Sequence, residues 1–514
     1  MKTFLLVIII VLLNVHSNAQ NPGDLNPGFN GTGYYFEDWA DTCTRAIGIK
    51  ILTNGSIILT GGIRLGTGPE NIFTTKIDSQ GYLVNFGNNS RGFTYDFSDY
   101  EMATSLEVLP DNSMFIAGAY MRLFLEYLPF VIKLNSGGEP DEDFADNGVF
   151  CDESIPVLPN KIKFYHHGDT YSLILAGTAS GIVARMIMLS AGGEIVTGFG
   201  TGGKIDLDAP YSNITDVFID SGNNLLYACG NITGGGAFVA KYNLPDGTPV
   251  AGFGVNGVIG FTPAMGYTAS FDAMAVDIEE NTMTLFGSYP AVIDEYDIFA
   301  YRLHAGDGSD DESFGIDGIS TLRVAGFDES IKSALMQSDG KYYFGGSTDY
   351  YGTNDFFIGR INHDGFADMT FGSSGLVITE QGFDERIFDM CLSRDESIIY
   401  ATGVSDDAGE NALAIAAYHT EFETETTVVN ISDENIMNSI SIFPNPVSEI
   451  LIIETDVSGP HEIRIFDLTG KKLMTECFSG SSHKMNLEGL EPSIYLIHVS
   501  QPGGNSITRK LIVK

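Results

Sequence analysis

The glycine-rich stretch 198–204, Gly-Phe-Gly-Thr-Gly-Gly-Lys, has the residue types and spacing of a phosphate-binding loop. It matches Gly-x-Gly-x-x-Gly, in which backbone amides at the start of a helix point at a phosphate group. The residues that follow it alternate apolar and polar, as in a strand, and Ile205 stands where a Ser or Thr would hold magnesium. The stretch lacks the helix that nucleotide binding requires, so we expect it to have a structural role.

Two acidic clusters could supply oxygen ligands to calcium, which binds six to eight of them. One is Asp141-Glu142-Asp143 with Asp146, and the other runs from Asp307 to Glu312. Neither follows the twelve-residue calcium-loop pattern. The chain has 67 Asp and Glu residues against 27 Lys and Arg residues. Solvated loop carboxylates are therefore the preferred interpretation, no cofactor is assigned, and calcium stays open as the alternative.

The adjacent histidines His166 and His167 could also bind a metal ion. Neighbouring residues on a strand point to opposite faces, however, and no third ligand is evident. We expect both histidines to lie in an exposed turn.

A base recurs near the end of one strand in most units of the chain and could line an anion-binding channel. Alternatively, each stem packs between neighbouring units while its charged head pairs with a loop carboxylate. We favour this structural role for the five bases Lys76, Lys133, Lys241, Arg302 and Arg360.

Catalytic motifs are absent from the sequence: there is no Gly-x-Ser-x-Gly and no His-Glu-x-x-His. Carboxylate pairs brought together by the fold stay open, because their separation in space cannot be read from the sequence. No Cys-x-x-C motif occurs, and the repeat gives no reason to pair the cysteines in disulfides. These are Cys43, Cys151, Cys229, Cys391 and Cys477. No catalytic, cofactor-binding or metal-binding residue is assigned.

All these residues are carried by a repeat whose anchor is a Phe, mostly followed by Gly, with a second Gly close behind. A fixed period of this kind determines the architecture and must be recognised first. The anchors are 54 to 61 residues apart and begin at Phe29, Phe86, Phe144, Phe199, Phe253, Phe314 and Phe371.

Each unit contains an alternating strand, a turn such as Asn54-Gly55, a strand ending in Gly, a strand with aromatic residues, and a short strand leading to the next anchor. Four strands per unit predict an all-β, seven-bladed propeller. The last unit lacks an anchor, and 24–33 supplies one at the other end of the chain. We expect this N-terminal segment to complete the last blade beside 387–418, with an open β array as the alternative.

The units resemble the delta-60 repeats, short extracellular β repeats with an Asp-x-x-Phe-Gly-x-x-Gly hallmark. The hallmark is best seen in 311–318 and 367–375, and Gln337–Lys341 resembles the hairpin of that family. Unit three departs from it, because 161–167 lacks the usual turn and Met188 replaces the base. The resemblance covers about residues 24–420 and implies a propeller-like fold without a defined activity.

The two ends of the chain predict export. Residues 1–19 read as a signal peptide with Lys2, an apolar run too short to span a membrane comfortably, and Ser17-Asn18-Ala19 before the cleavage site. No other run is apolar and long enough for a membrane span. The net charge of −40 disfavours nucleic acid and anionic membrane surfaces as partners.

The last 75 or so residues resemble the type IX secretion C-terminal sorting domain of Bacteroidetes. Four stretches carry the resemblance: Phe443-Pro444-Asn445-Pro446, 467–471, 490–495 and 510–514, with Ser493 where the family usually has Gly. The strand-like runs predict a small β-sandwich made of 450–454, 462–467, 472–476, 495–499 and 506–513. The resemblance implies the type IX secretion machinery as a partner and passage across the outer membrane, followed by release or surface attachment.

These observations predict four segments: a signal peptide at 1–19, a propeller at 20–422, an acidic linker at 423–438 and a sorting domain at 439–514. We expect a secreted or cell-surface protein that acts as a non-catalytic binding or scaffold module, with an extracellular ligand such as a polysaccharide. A purely structural adhesion protein is a related hypothesis. The alternative from another class is a glycan lyase or hydrolase with its site at the propeller axis.

Overall fold

The computed structural model describes the chain from residue 21 onward with gaps: 21–37, 42–65, 68–87, 92–96, 100–122, 126–179, 183–208, 210–261, 269–292, 295–322, 328–407, 410–421, 440–448, 450–466, 472–487, 489–490, 492–500 and 506–514. The predicted signal peptide, the predicted linker and the 467–471 motif lie outside these residues. The chain divides into two compact units, Met1–Thr424 and Glu425–Lys514.

The first unit consists of antiparallel sheets of four strands, one of which has a short fifth strand. In chain order the strands are β1 (Tyr34–Glu37), β2 (Thr42–Ile51), β3 (Ile57–Leu65), β4 (Glu70–Ile77), β5 (Leu83–Val84), β6 (Phe93–Tyr95), β7 (Glu101–Val108), β8 (Met114–Arg122), β9 (Glu126–Leu134), β10 (Val149–Cys151), β11 (Leu158–His167), β12 (Thr170–Ala179), β13 (Val183–Ser190), β14 (Lys204–Leu207), β15 (Tyr211–Asp220), β16 (Leu225–Ile232), β17 (Ala237–Asn243), β18 (Val258–Phe261), β19 (Ala273–Asp277), β20 (Thr282–Val292), β21 (Glu295–His304), β22 (Ile319–Leu322), β23 (Glu329–Met336), β24 (Tyr342–Thr348), β25 (Asp355–Ile361), β26 (Leu376–Thr379), β27 (Asp384–Leu392), β28 (Ile398–Asp407) and β29 (Glu410–His419).

Each sheet is one blade. Blade 1 is β2–β6, blade 2 is β7–β10, blade 3 is β11–β14, blade 4 is β15–β18, blade 5 is β19–β22, blade 6 is β23–β26, and blade 7 is β27–β29 with β1. The first strand of each blade contacts the first strand of the next, and β27 contacts β2. The first strands therefore surround the axis, and the fourth strands lie at the rim. The prediction of an all-β propeller is confirmed.

The core lies between the blades rather than within a single sheet. Within the residues that the structure covers, an apolar cluster fills every junction between neighbouring blades, including the junction of blade 7 with blade 1. The anchor Phe residues are at most 2 % exposed and belong to these clusters. Their burial explains why each unit needs a large apolar side chain at this position.

The ring is closed by the N-terminal segment. β1 pairs antiparallel with β29, with Tyr34 opposite Ala416, and Leu25 bridges Tyr418. Segment 24–33 lies beside residues 417–419, in the region where the repeat predicted it. The regular strand begins later, at Tyr34, because 24–33 forms the anchor turns that precede it.

The residue after each anchor Phe has a left-handed backbone conformation. Its φ is 47–67° in every unit, at Asn30, Gly87, Ala145, Gly200, Gly254, Gly315 and Gly372. In six of the units this conformation turns the amide toward the next blade, where it donates to a carbonyl at 2.7–2.9 Å. The acceptor lies in the turn after the third strand, as Asp364 does for Gly315, except that Gly372 donates to Pro22 of the N-terminal segment. Gly predominates here because it adopts positive φ without strain.

The second unit is a small sheet around its own apolar cluster. Its strands are β30 (Ile440–Phe443), β31 (Ile450–Phe466), β32 (Lys472–Asn486), β33 (Ser493–Ser500) and β34 (Ser506–Val513). The two predicted strands 450–454 and 462–467 form one continuous strand, because β32 pairs with both halves across an irregularity between Glu454 and Gly459. Both halves contribute to the cluster, through Leu451 and Ile463 among others.

Candidate functional site

The two ends of the ring differ in kind. One end, the turn end, carries the hairpins between first and second strands and the anchor segments between third and fourth strands. The other, the loop end, carries the connections between second and third strands and between successive blades. The repeated residues lie mostly at the turn end, and the connections at the loop end differ from blade to blade. Loops on a rigid scaffold are the usual carriers of binding residues.

The glycine-rich stretch 198–204 is the anchor of blade 3, at the turn end. It lines a cleft of about 590 Å³ at the rim between blades 3 and 4, together with Tyr211 and Tyr242. The amides of Gly200 and Thr201 already donate to the carbonyls of Asp246 and Lys204. Neither amide can therefore hold a phosphate without breaking a hydrogen bond of the fold.

The recurring bases cross from one blade to the next. In blades 2, 5 and 6 the base pairs with the Asp three residues before the anchor Phe. The distances are 2.7 Å for Lys133–Asp141, 2.8 Å for Arg302–Asp311 and 2.9 Å for Arg360–Asp368. Arg302 also donates to the carbonyl of His363 in the next blade, at 2.5 Å. Burial opposes ionisation of Asp311 and Asp368, but their hydroxyl, amide and guanidinium partners hold the pKa of both below its usual range.

Blades 3 and 4 have Val at the position of this Asp. Met188 replaces the base in blade 3, where its amide bonds Gly203 as the amide of Arg360 bonds Gly375. In blade 4 the Lys241 Nζ atom donates to the carbonyls of Ala305 and Gly306, at 2.6 and 3.0 Å, and burial lowers its pKa. These contacts make Lys241, Arg302 and Arg360 ties between neighbouring blades, because Arg360 likewise reaches the Thr420 carbonyl.

The carboxylates of the acidic clusters form contacts that stabilise the turns in which they lie. Asp141 pairs with Lys133, and Asp307 accepts from the amide of Ser309 at 3.0 Å. No group of three His, Cys, Asp or Glu side chains within the described ranges is arranged to hold a metal ion.

The prediction that the histidine pair lies in an exposed turn is wrong. His166 and His167 are the last residues of β11, opposite Tyr171 and Thr170. The strand runs on to His167 because these pairs extend the hairpin to Gly168. His167 Nε2 lies 3.0 Å from the Ser172 hydroxyl.

The four cysteines whose side chains are described have free thiols. Cys229 and Cys391 are buried, whereas Cys151 and Cys477 are exposed. Cys43 lies where side chains are not described.

At the axis, Glu107 lies between two lysines from neighbouring blades. Its carboxylate is 2.5 Å from Lys163 Nζ and 3.6 Å from Lys50 Nζ. Burial opposes its ionisation, but the two lysines together lower its pKa. Asp389, also on a first strand, accepts from the amide of Ile49 at 3.2 Å. Glu107 is thus held ionised by structural partners, which does not suit a proton donor in catalysis.

The loop end of blades 6 and 7 carries exposed aromatic residues. Residues 349–354 join β24 to β25 and form the longest connection between second and third strands. Tyr350 and Tyr351 in this loop are 40 % and 54 % exposed, with ring centroids 4.7 Å apart. Asp349 holds the loop in place by accepting from the amide of Asp328 at 2.8 Å.

Polar groups of blade 7 lie beside this loop. The amide of Glu385 donates to the carbonyl of Asn354 at 2.6 Å. The half-exposed pair Asp384–Arg386 is 2.7 Å apart. Phe36, 44 % exposed, stacks on Phe383 with centroids 6.1 Å apart. The loop end here combines aromatic faces with hydrogen-bonding groups of both charges.

Sequence reasoning missed Tyr350, Tyr351 and Arg386, and it missed the buried acids Asp355 and Glu385 in β25 and β27. They belong to no motif, because they lie in the part of the unit that does not repeat. One signal was available: the residues between the second and third strands of unit six include two adjacent tyrosines.

Comparison with known families covers both units in part. Residues 441–514 match the secretion system C-terminal sorting domain. Residues 337–371 match a β-propeller domain of unknown function, DUF5122. No curated protein matches the chain.

Solved structures give only remote likenesses. A fungal alcohol oxidase of the AA5 family in complex with copper is 10 % identical, with 93 % of this chain and 98 % of that chain covered and a TM-score of 0.39. The extracellular domain of a candidate one-component system from B. thetaiotaomicron is 11 % identical, with 94 % and 71 % covered and a TM-score of 0.22. With TM-scores below 0.5, neither likeness supports a conclusion about this chain.

The sorting domain indicates export and an extracellular or surface location. In the described part of the chain no helix is long and apolar enough to cross a membrane. The chain is therefore an exported protein in which a β-propeller with a DUF5122 match is followed by a type IX secretion sorting domain.

Proposed function

We propose that the exported propeller is a non-catalytic binding module that holds a polysaccharide at the loop end of blades 6 and 7. The observation that carries this proposal is the exposed pair Tyr350–Tyr351 on the longest connection of the loop end. Aromatic rings offer flat apolar faces to the C–H face of a sugar, and their polar edges stay hydrated.

The surroundings of the tyrosines suit the same ligand. Arg386 and Asp384 provide donors and acceptors for sugar hydroxyl groups beside the loop. The repeated residues, in contrast, are engaged in contacts within the ring, so they are poor candidates for a ligand site. A net charge of −40 favours a neutral or cation-bridged glycan over a strongly anionic one.

The test is retention of the purified full-length mature chain by a panel of immobilised polysaccharides, with sugar release measured in the same samples. We expect retention without release for the native protein. Tyr350→Ala with Tyr351→Ala should weaken retention roughly tenfold, since the contact of an aromatic ring is worth about 0.5–1.5 kcal/mol and two rings are removed. Tyr82→Ala is the matched control, because Tyr82 is 56 % exposed but lies at the turn end.

An enzyme is the second candidate, and two buried carboxyls at the same end favour it. Burial and acidic neighbours raise the pKa of Asp355 to about 6, and burial foremost raises that of Glu385 to about 7. Such values suit acid–base chemistry, but both side chains are 0 % exposed and no substrate reaches them in this conformation. Sugar release in the panel, abolished by Glu385→Gln, would favour the enzyme over the binding module.

A further inference from the structure

Asp355 and Glu385 form a buried pair of acids between blades 6 and 7. Asp355 is the first residue of β25, and Glu385 is the second residue of β27. Both side chains are 0 % exposed. The 2.6 Å hydrogen bond from the Glu385 amide to the Asn354 carbonyl joins the two strand starts. The carboxyls are thus enclosed where the aromatic loop meets the next blade.

Few donors near these carboxyls offset their loss of hydration. By distance and angle, neither oxygen of Asp355 and only one oxygen of Glu385 has a hydrogen-bond partner, the Ser405 hydroxyl at 3.2 Å. The Tyr351 amide favours the ionised form of Asp355, and the Gln381 and Phe383 amides favour that of Glu385, but burial outweighs them. The charged groups that act on Asp355 are also acids, Glu380 and Asp384. Asp355 in turn acts on Glu385. The negative charge of Glu385 helps to raise the pKa of the Tyr34 and Tyr418 hydroxyls, for which burial is the main cause. Arg386 pairs with Asp384.

Two ionised carboxylates in this position would repel each other, with too few donors to satisfy their four oxygens. A proton on one of them removes a charge and supplies the missing donor. A metal ion is a poorer fit, since these acids do not form a group of three ligands.

We propose that Asp355 and Glu385 together hold a proton that locks the 349–354 loop to blade 7, and that loss of this proton in alkaline solution releases the loop. Asn354 transmits the change, because it is bonded to Asp355 in the chain and to the Glu385 amide through its carbonyl. The site is a pH-sensitive lock at the edge of the proposed binding surface.

The direction of the pH effect follows from the two pKa values. Both are raised above the ordinary carboxyl values, so the folded state binds more protons than the unfolded chain. The stability from these groups is fully present below about pH 4 and is lost as pH rises through about 6 to 7. Between the ordinary carboxyl pKa near 4 and these raised values, each extra proton held by the folded state makes the folded-to-unfolded ratio fall roughly tenfold per pH unit.

Infrared spectroscopy tests the bound proton directly in the full chain. At about pH 6, where ordinary carboxyls are ionised, the native protein should show the carbonyl band of a protonated carboxylic acid, which disappears by about pH 9. The band should be lost in Glu385→Gln with Asp355→Asn. It should persist in Glu312→Gln with Asp317→Asn, which makes the same charge change at two exposed residues. Absence of the band in the native protein would overturn the proposal, whether or not the variants fold.

Hydrogen exchange tests the release of the loop. After correction for the intrinsic pH dependence, exchange of peptides covering 349–354 should accelerate several-fold between about pH 6 and pH 9. The turn 338–341 of the same blade, at the opposite end, should not change. Equal exchange of the loop at both pH values would contradict the lock. Neither measurement uses a polysaccharide, so failure of the proposed binding function is distinguishable from failure of this inference.

Discussion

Three blades pair a base of the repeat with an Asp, whereas blade 4 keeps its base, Lys241, without this Asp. In blade 3 both are replaced by apolar residues, Met188 and Val196. Arg360 is the most enclosed of the bases, with its side chain 2 % exposed and that of Asp368 6 % exposed. It also donates to the Thr370 and Tyr343 hydroxyls and to the Thr420 carbonyl. One side chain thus joins the anchor of blade 6 to the end of blade 7.

Replacing Arg360 alone should greatly lower the free energy of unfolding, whereas replacing Arg360 together with Asp368 should not. Arg360→Met leaves Asp368 buried without its counter-charge, for which we expect a loss of about 3–5 kcal/mol in the free energy of unfolding. Adding Asp368→Val copies blade 3 and should restore most of that loss. Urea denaturation of the two variants measures both effects.

The control for this cycle is the exposed pair Lys341–Asp339, with side chains 28 % and 37 % exposed. Lys341→Met should cost no more than about 1 kcal/mol, as is usual for surface ion pairs. A double variant of Arg360 and Asp368 as unstable as Arg360→Met would show that the ion pair is not the reason for the loss.

At the scale of the element, the anchor turn is the feature that makes one blade fit the next. Its left-handed residue directs an amide to a carbonyl of the neighbouring blade, and its Phe fills the junction between the two blades. Gly315 has φ +58°, and a Cβ there would lie 2.1 Å from the Ile319 carbonyl oxygen. Ala145 occupies the same position in blade 2 at φ 47°. The anchors therefore differ in strain although their fold is the same.

Gly315→Ala and Ala145→Gly should change the free energy of unfolding in opposite directions. Gly315→Ala should lower the free energy of unfolding by more than about 1–2 kcal/mol, the usual cost of a left-handed non-Gly residue, because the close approach to the Ile319 carbonyl adds to it. Ala145→Gly should raise it by up to about 1 kcal/mol, since Gly relieves the strain but gains unfolded-state freedom. Thermal denaturation of both variants measures the difference, and a destabilised Ala145→Gly would argue against strain at the anchor.

At the scale of the whole molecule, folding and export depend on opposite ends of the chain. The ring needs its N-terminal segment, because β1 covers the edge of β29 and Pro22 accepts the anchor amide of Gly372. The sorting domain has its own strands and its own core. Separate cores imply that the tail can be changed without unfolding the propeller.

Deletion of 439–514 should therefore abolish export but not folding. In a host with a type IX secretion system, we expect the truncated protein to stay inside the outer membrane with the melting temperature of the propeller unchanged. Cell fractionation with immunoblotting measures its location. An unrelated periplasmic protein carrying 439–514 should in turn appear outside the cell, and continued export of the truncated chain would contradict the role of the tail.

The sequence alone determined the repeat, the class of fold and the export tail. These follow from local chemistry: a Phe that must be buried, a residue that must adopt positive φ, and strands that alternate with turns. Such requirements recur in every unit and are therefore visible as a pattern. The local pattern was less reliable at the ends of strands. His166 and His167 continue β11 instead of forming a turn, and two predicted strands of the tail form the single strand β31.

Only the tertiary structure decided which residues meet across the junctions of the ring. Asp355 and Glu385 are unremarkable carboxylates in a very acidic sequence, and their enclosure depends on two strand starts that are 30 residues apart in the chain. The exposed tyrosines likewise gain their setting from blade 7. Desolvation and like-charge proximity depend on distances in space, which residue spacing along the chain does not encode.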